Sequence, residues 1–236
     1  MKKRALPVLV AGLLVLSGCG GSGGDGNSDG GSAAHINAES GSTNGAILDE
    51  RVGSTPPPAK QVGLVEAAEK ANCYLLRKVP PEDDKEISAT SPAPEYSKDP
   101  PMFGPHFASP HQQADGAYLT MPEEPATVAS LNHGRMLIQY APDLPEEIQL
   151  ELKGLYDTMY GGTLFFPNNT MEYAVAATTW GNLLGCTSYE GAATLNAIRA
   201  FGKASWGKYG SVPVDKFPVE GPTPAKPEEA REAKSD

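Results

Sequence analysis

The first seventeen residues decide where the rest of this chain has to fold. Lys2, Lys3 and Arg4 precede an apolar run from Ala5 to Leu16, which is the layout of a secretory signal. The run is too short for a membrane-spanning helix, which needs about 20 apolar residues. A chain sent out of the cytoplasm folds where thiols oxidise, so the placing of its cysteines becomes a statement about its fold.

The leader ends in Leu16-Ser17-Gly18-Cys19. A small-residue site with a cysteine directly after it resembles a bacterial lipoprotein box. That resemblance implies cleavage of residues 1–18 and a lipid on Cys19, an anchor that holds a protein on a membrane without spanning it. The plainer alternative is an ordinary signal peptide followed by a chance cysteine. With Cys19 taken, Cys73 and Cys186 remain, and outside the cytoplasm such a pair favours a disulfide over two buried free thiols. Closing a loop of about 110 residues stabilises by on the order of 4–5 kcal/mol in the chain-entropy account. No Cys-x-x-Cys pair occurs, so a thioredoxin-type redox role lacks its usual signature.

The formal net charge is −10. A chain without a basic patch is a poor partner for nucleic acid, whose phosphates demand Lys and Arg. Residues 19–60 read as a flexible tether, rich in Gly, Ser and Asp and closing on Pro56-Pro57-Pro58; His35 falls within it as a solvated bystander. The globular part is expected over residues 61–210, followed by a disordered Pro/Glu/Lys tail over 211–236. Leu64, Ala67, Ala68, Ala71 and Leu75 have helical spacing, which extends a first helix past Cys73 toward Val79-Pro80-Pro81. Gly116–Thr120 reads as a short strand, and Arg135–Tyr140 is the clearest strand of the chain. Pro145-Glu146-Glu147 opens a helix whose stripe is Ile148, Leu152, Leu155, Tyr156 and Met159, and Gly161-Gly162 stops it. Strands follow at Thr163–Phe166, Tyr173–Trp180 and Leu183–Cys186, then a helix over Glu190–Lys203. The expected fold class is α+β: one domain with a small mixed sheet flanked by about three helices and stapled by one disulfide.

Unusual chemistry concentrates between Asp99 and Tyr140. Three of the four histidines, His106, His111 and His133, stand there with Met102 and Met136. The run Pro100-Pro101-Met102-Phe103-Gly104-Pro105-His106 and the run His133-Gly134 leading to Ile138-Gln139-Tyr140 and Pro142 resemble the two hallmark stretches of the family catalogued as domain of unknown function 3105. Cys73 after an Ala-rich helical start, and Cys186 beyond Trp180-Gly181, match the family as well. The resemblance covers about Leu64 to Phe201. This chain departs from the family pattern at Ala129, where a histidine is usual, and at Asn132, where an acid is usual. Lys85-Glu86-Ile87 stands where a further histidine often lies. The resemblance implies a fold and the location of a site, and no reaction.

Two imidazoles with thioethers nearby form a soft ligand set. The favoured expectation is therefore a metal site of His106 and His133 completed by Met102, Met136 or His111, with copper ahead of zinc. The alternative is a non-catalytic module docking another envelope protein, in which His106 and His133 satisfy backbone groups and the methionines are core. Catalysis is the weaker class. There is no Gly-x-Ser-x-Gly elbow, His-Glu-x-x-His helix or phosphate-binding glycine loop, and only a pairing of His106 with Asp99 or Asp115 stands as an acid–base candidate. Tyr156, Tyr160, Tyr173, Tyr189, Trp180, Trp206 and Tyr209 are candidates for an aromatic patch that docks a protein or a glycan.

Overall fold

The protein is described by a computed structural model covering residues 42–159 and 161–210. The leader, Cys19, His35, the first part of the expected tether and the 211–236 tail lie outside the described residues. Eight strands and four helices follow in the order α1 Leu64–Lys70, β1 Cys73–Leu76, β2 Glu86–Ile87, β3 His106–Phe107, β4 Gly116–Ala117, α2 Glu124–Asn132, β5 Met136–Tyr140, α3 Glu146–Asp157, β6 Thr163–Pro167, β7 Val175–Thr179, β8 Asn182–Cys186 and α4 Ala192–Ser205. Six strands form one mixed sheet in the order β1-β8-β7-β5-β6-β4, and β2 pairs with β3 in a parallel ribbon. The α+β class and the disulfide are as the sequence implied.

Strand alternation divides the core in two. Met136, Ile138 and Tyr140 of β5 face one side with Phe165, Val175, Ala177, Leu184 and Cys186, where α1, α3 and α4 pack. Leu137 faces the other with Leu164, Phe166, Ala176 and Leu183, against Val128 and Leu131 of α2, Trp180 and Met102-Phe103 of the proline-rich loop. Period-2 side-chain geometry alone separates these two sets. The β5–α3–β6 unit supplies the parallel pair at the centre, running from Met136 opposite Thr163 to Tyr140 opposite Pro167. Antiparallel β7, β8 and β1 complete that side of the sheet.

Three features differ from the sequence expectation. The first helix stops at Lys70, because Asn72 takes a left-handed conformation (φ 53°) and Cys73 opens β1. The apolar spacing that seemed to carry the helix to Leu75 serves a strand equally well, since Cys73 and Leu75 share its helix-bearing face. The helix α2 shows no amphipathic stripe in the sequence because Pro125 to Asn132 are buried on every side, so the periodic signal of a surface helix is missing. Finally, packed chain begins well before residue 61. Asp49 N–H donates to Ala117 O (2.8 Å), Leu119 N–H to Ile47 O (2.7 Å) and Ser54 N–H to Leu150 O (2.8 Å).

The 42–60 segment is a belt rather than a tether. Asp49 is fully buried and holds Arg51 in a two-pronged ion pair, with both N···O distances 2.9 Å. Gly53 and Ser54 then cross α3 at Gly154. A Cβ on Gly154 would fall within the Ser54 carbonyl oxygen and 2.7 Å from its carbon, and one on Gly53 would lie 2.6 Å from the Lys153 carbonyl carbon. Two glycines facing one another permit this backbone approach, and only glycine does. Beneath the crossing Lys153 is buried and pairs with Asp157, whose other oxygen accepts from Gly53 N–H at 3.0 Å. Arg199 of α4 donates to Pro57 O at 2.9 Å, and Lys60 N–H donates to Asn196 at 3.1 Å. Low hydrophobicity hid this segment in the sequence, because its hold is through backbone and polar groups.

β1 pairs antiparallel with β8, placing Cys73 directly opposite Cys186. The two form the expected disulfide, spanning 113 residues.

Candidate functional site

The proline-rich loop delivers His106 into the second core. Gly104 has φ +135° and the Tyr96 ring 2.9 Å from where its Cβ would stand, so no other residue fits that bend. Tyr96 Oη donates to Pro105 O at 2.8 Å and fixes the next residue. His106 then starts β3, with only 2% of its surface exposed and its ring nearly perpendicular to that of Trp180, 5.7 Å between centroids.

Both ring nitrogens of His106 are engaged. Nδ1 lies 2.9 Å from Gly104 O, and Nε2 lies 2.7 Å from Asn132 Nδ2. A carbonyl oxygen only accepts, so Nδ1 carries the proton; the neutral ring then accepts at Nε2, and the Asn132 amide must donate. His106 is a hydrogen-bonded brace between the proline-rich loop and the last residue of α2. An acid at position 132 has no proton to give when ionised, so this pattern specifically fits asparagine.

His133 caps α2 and is half-buried. Burial holds its pKa below the ordinary 6.5, the Arg135 charge acts in the same direction, and Glu86 opposes them. Arg135 reaches past it, donating from Nη1 to His133 O (2.9 Å) and from Nε to Asp115 Oδ1 (3.1 Å). Asp115 is fully buried, and its Oδ2 accepts from Gly162 N–H at 2.8 Å. Burial raises the Asp115 pKa against the opposing pull of Arg135. Trp206 Nε1–H donates to Gly162 O at 2.7 Å and closes the network below the sheet. Position in the chain gave no sign of this Asp115–Arg135 centre, which joins a loop to the entrance of β5.

The five expected metal donors do not converge. His106 and the Met102 segment share one neighbourhood beside Trp180, since Met102 O accepts from Gly181 N–H, and Asn132, bonded to His106, directly precedes His133 in the chain. Met136 lies on the opposite face of the sheet, in the other core. His111 is exposed and turned to the belt, its carbonyl accepting from Asn44 at 3.2 Å. No group of three or more His, Cys, Asp and Glu side chains is placed to hold a metal among the described residues. The acid–base candidates separate likewise, because Asp115 is bonded to Arg135, and Asp99 accepts from Thr170 Oγ1 at 3.2 Å. Of the aromatic candidates, Tyr156, Trp180 and Trp206 are core residues, whereas Tyr173, Tyr189 and Tyr209 are partly exposed and Tyr160 lies outside the described residues.

What these features define is an α+β domain whose buried His106 and buried ion pairs lie between packed elements. The chain belongs to the family described as proteins of unknown function (DUF3105), whose profile matches residues 89–210. No curated protein and no solved structure matches it. The match starts beyond α1 and β1, so the disulfide ties a segment ahead of the matched residues to β8 within them. No helix among the described residues is long and apolar enough to cross a membrane.

Proposed function

We propose that this protein is a cell-envelope lipoprotein, anchored through Cys19, whose domain docks another envelope protein without catalysing a reaction. The observation that carries the reading is the His106 ring, sealed in the core with Nδ1 on Gly104 O and Nε2 on Asn132. A ligand histidine must offer an unencumbered nitrogen, and here coordination would require the Asn132 amide to withdraw from a buried site. The histidines then serve the fold, and recognition falls to the surface.

Metal binding is the second reading, with copper ahead of zinc. It is favoured by the Nδ1–H···O=C bond, the arrangement that commonly orients a histidine for coordination through Nε2, and by the closeness of His133. Calorimetric titration of the mature chain with Cu(I) and with Zn(II), beside His106→Ala and His133→Ala, separates the two. Docking predicts no submicromolar binding of either ion and a His106→Ala protein destabilised with no metal present. Submicromolar binding abolished in both variants replaces it with the metal reading.

A further inference from the structure

The two edges of the six-stranded sheet are finished differently. The β4 edge is covered by Ala46–Asp49 of the belt, through the Asp49 N–H to Ala117 O and Leu119 N–H to Ile47 O bonds. At the other edge β1 pairs with β8 on one side and, among the described residues, with no strand on the other. Register decides which backbone groups this leaves outward. Cys186 O accepts from Ala174 N–H on the β7 side, so Cys73 and Cys186 are not a hydrogen-bonded pair of the β1–β8 ladder. The N–H and C=O of Cys73, and of Leu75 two residues on, therefore face away from the sheet.

The side chains along this edge are apolar and partly exposed. Tyr74 is 54% exposed, and Leu75 and Leu76 are only half-buried. Tyr173 leans over Gly185, its ring 2.5 Å from where a Cβ would stand, and Gly185 is the residue opposite Tyr74. The Tyr74 phenol is near enough to weigh on the ionisation of Tyr173. Two tyrosines side by side at an open strand are the composition of a protein-recognition centre. An edge strand left unpaired is usually guarded by charge, and here the exposed Arg77 and Lys78 follow it. Neither has a carboxylate partner among the described residues, although the whole chain has a net charge of −10.

Those cations choose the occupant. A second copy pairing antiparallel about Tyr74 would set Lys78 opposite Lys70, whose ammonium already pairs with Glu66 at 2.6 Å, so self-pairing gives Arg77 and Lys78 no carboxylate of their own. Resting on the docking reading above, we propose that the β1 edge receives an extended segment of a partner protein, added as a further antiparallel strand. Its carboxylates lie against Arg77 and Lys78, and an apolar side chain lies against Tyr74 and Tyr173. Backbone pairing supplies affinity and the tyrosines and cations supply choice, as in other strand-addition complexes.

Amide exchange followed by NMR on the mature chain tests this, with a short synthetic peptide of alternating valine and threonine bearing glutamate at both ends. In the free protein the Cys73 and Leu75 amides should exchange fast and those of Tyr74 and Leu76 slowly. The peptide should slow Cys73 and Leu75 by about tenfold or more, whereas a lysine-ended counterpart at the same concentration should not. Tyr74→Ala should weaken binding about tenfold, and Arg77→Glu with Lys78→Glu should reverse the preference between peptides. Protected Cys73 and Leu75 amides in the free protein, no peptide binding, or binding indifferent to these variants overturns the proposal. Such failure leaves the metal titration untouched, so docking elsewhere on the surface remains distinguishable from the metal reading.

Discussion

Gly154→Ala sets two effects of opposite sign against each other. In an exposed helix interior, replacing glycine by alanine stabilises by about 1 kcal/mol through backbone entropy. At Gly154 the new methyl would occupy the position of the Ser54 carbonyl, and α3 cannot bend away because Leu152 and Leu155 on either side are core. Overpacking costs about 1–3 kcal/mol. If the belt lifts instead, the Ser54 N–H to Leu150 O and Gly53 N–H to Asp157 bonds are lost, at about 0.5–1.5 kcal/mol each. Lifting also uncovers the Lys153–Asp157 pair. The net expectation is a loss of about 1–2 kcal/mol, lowering Tm by roughly 2–8 °C for a domain of this size. Urea titration followed by tryptophan fluorescence, with thermal melts alongside, measures it. A Gly154→Ala protein as stable as the parent, or more so, would refute the belt crossing and with it the account of why both glycines stand there.

Three further outcomes follow from the same reasoning. Cys73→Ser with Cys186→Ser, or reduction of the parent, should remove about 5 kcal/mol from unfolding by denaturant, the chain-entropy value for the observed loop, with a correspondingly lower midpoint. His133 has a folded pKa below its unfolded 6.5, so the folded state binds fewer protons and stability falls as pH drops from 6.5 toward the folded value; melts from pH 7.5 to 5 should show less of that fall in His133→Asn. Asp115→Ala would leave Arg135 buried without its carboxylate, costing about 3–5 kcal/mol, and chemical denaturation of the variant reads that loss directly.

Sequence legibility followed the kind of force holding each element. β5, α3 and α4 announced themselves because each turns an apolar set toward a core, and hydrophobic periodicity records that. α2 buries all its sides, so it has no period to read. The belt is held by backbone hydrogen bonds, the Asp49–Arg51 pair and a glycine-on-glycine crossing, none of which leaves an apolar pattern. At the candidate site, the two family-like stretches marked where His106 and the end of α2 lie. The role of Asn132 was not legible, because only the geometry reveals that it donates to the His106 ring. Met136 misled for a simpler reason: its neighbour Leu137 faces the histidines' side of the sheet, and one residue along a strand is the difference between two cores.

The belt and the disulfide together set a path for mechanical load. From Ser42 the chain runs beside the β4 edge, across α3 and α4, and enters β1 at the far edge, where Cys73 is bonded to Cys186. A pull from the N-terminal side can strip only the residues ahead of Cys73 before it meets a covalent stop. Beyond that point tension passes straight to Cys186, and the 112 residues between the two sulfurs, which carry every element from Tyr74 to the end of β8, are bypassed. The domain would keep its sheet and its braced histidine while its leading segment was stretched taut.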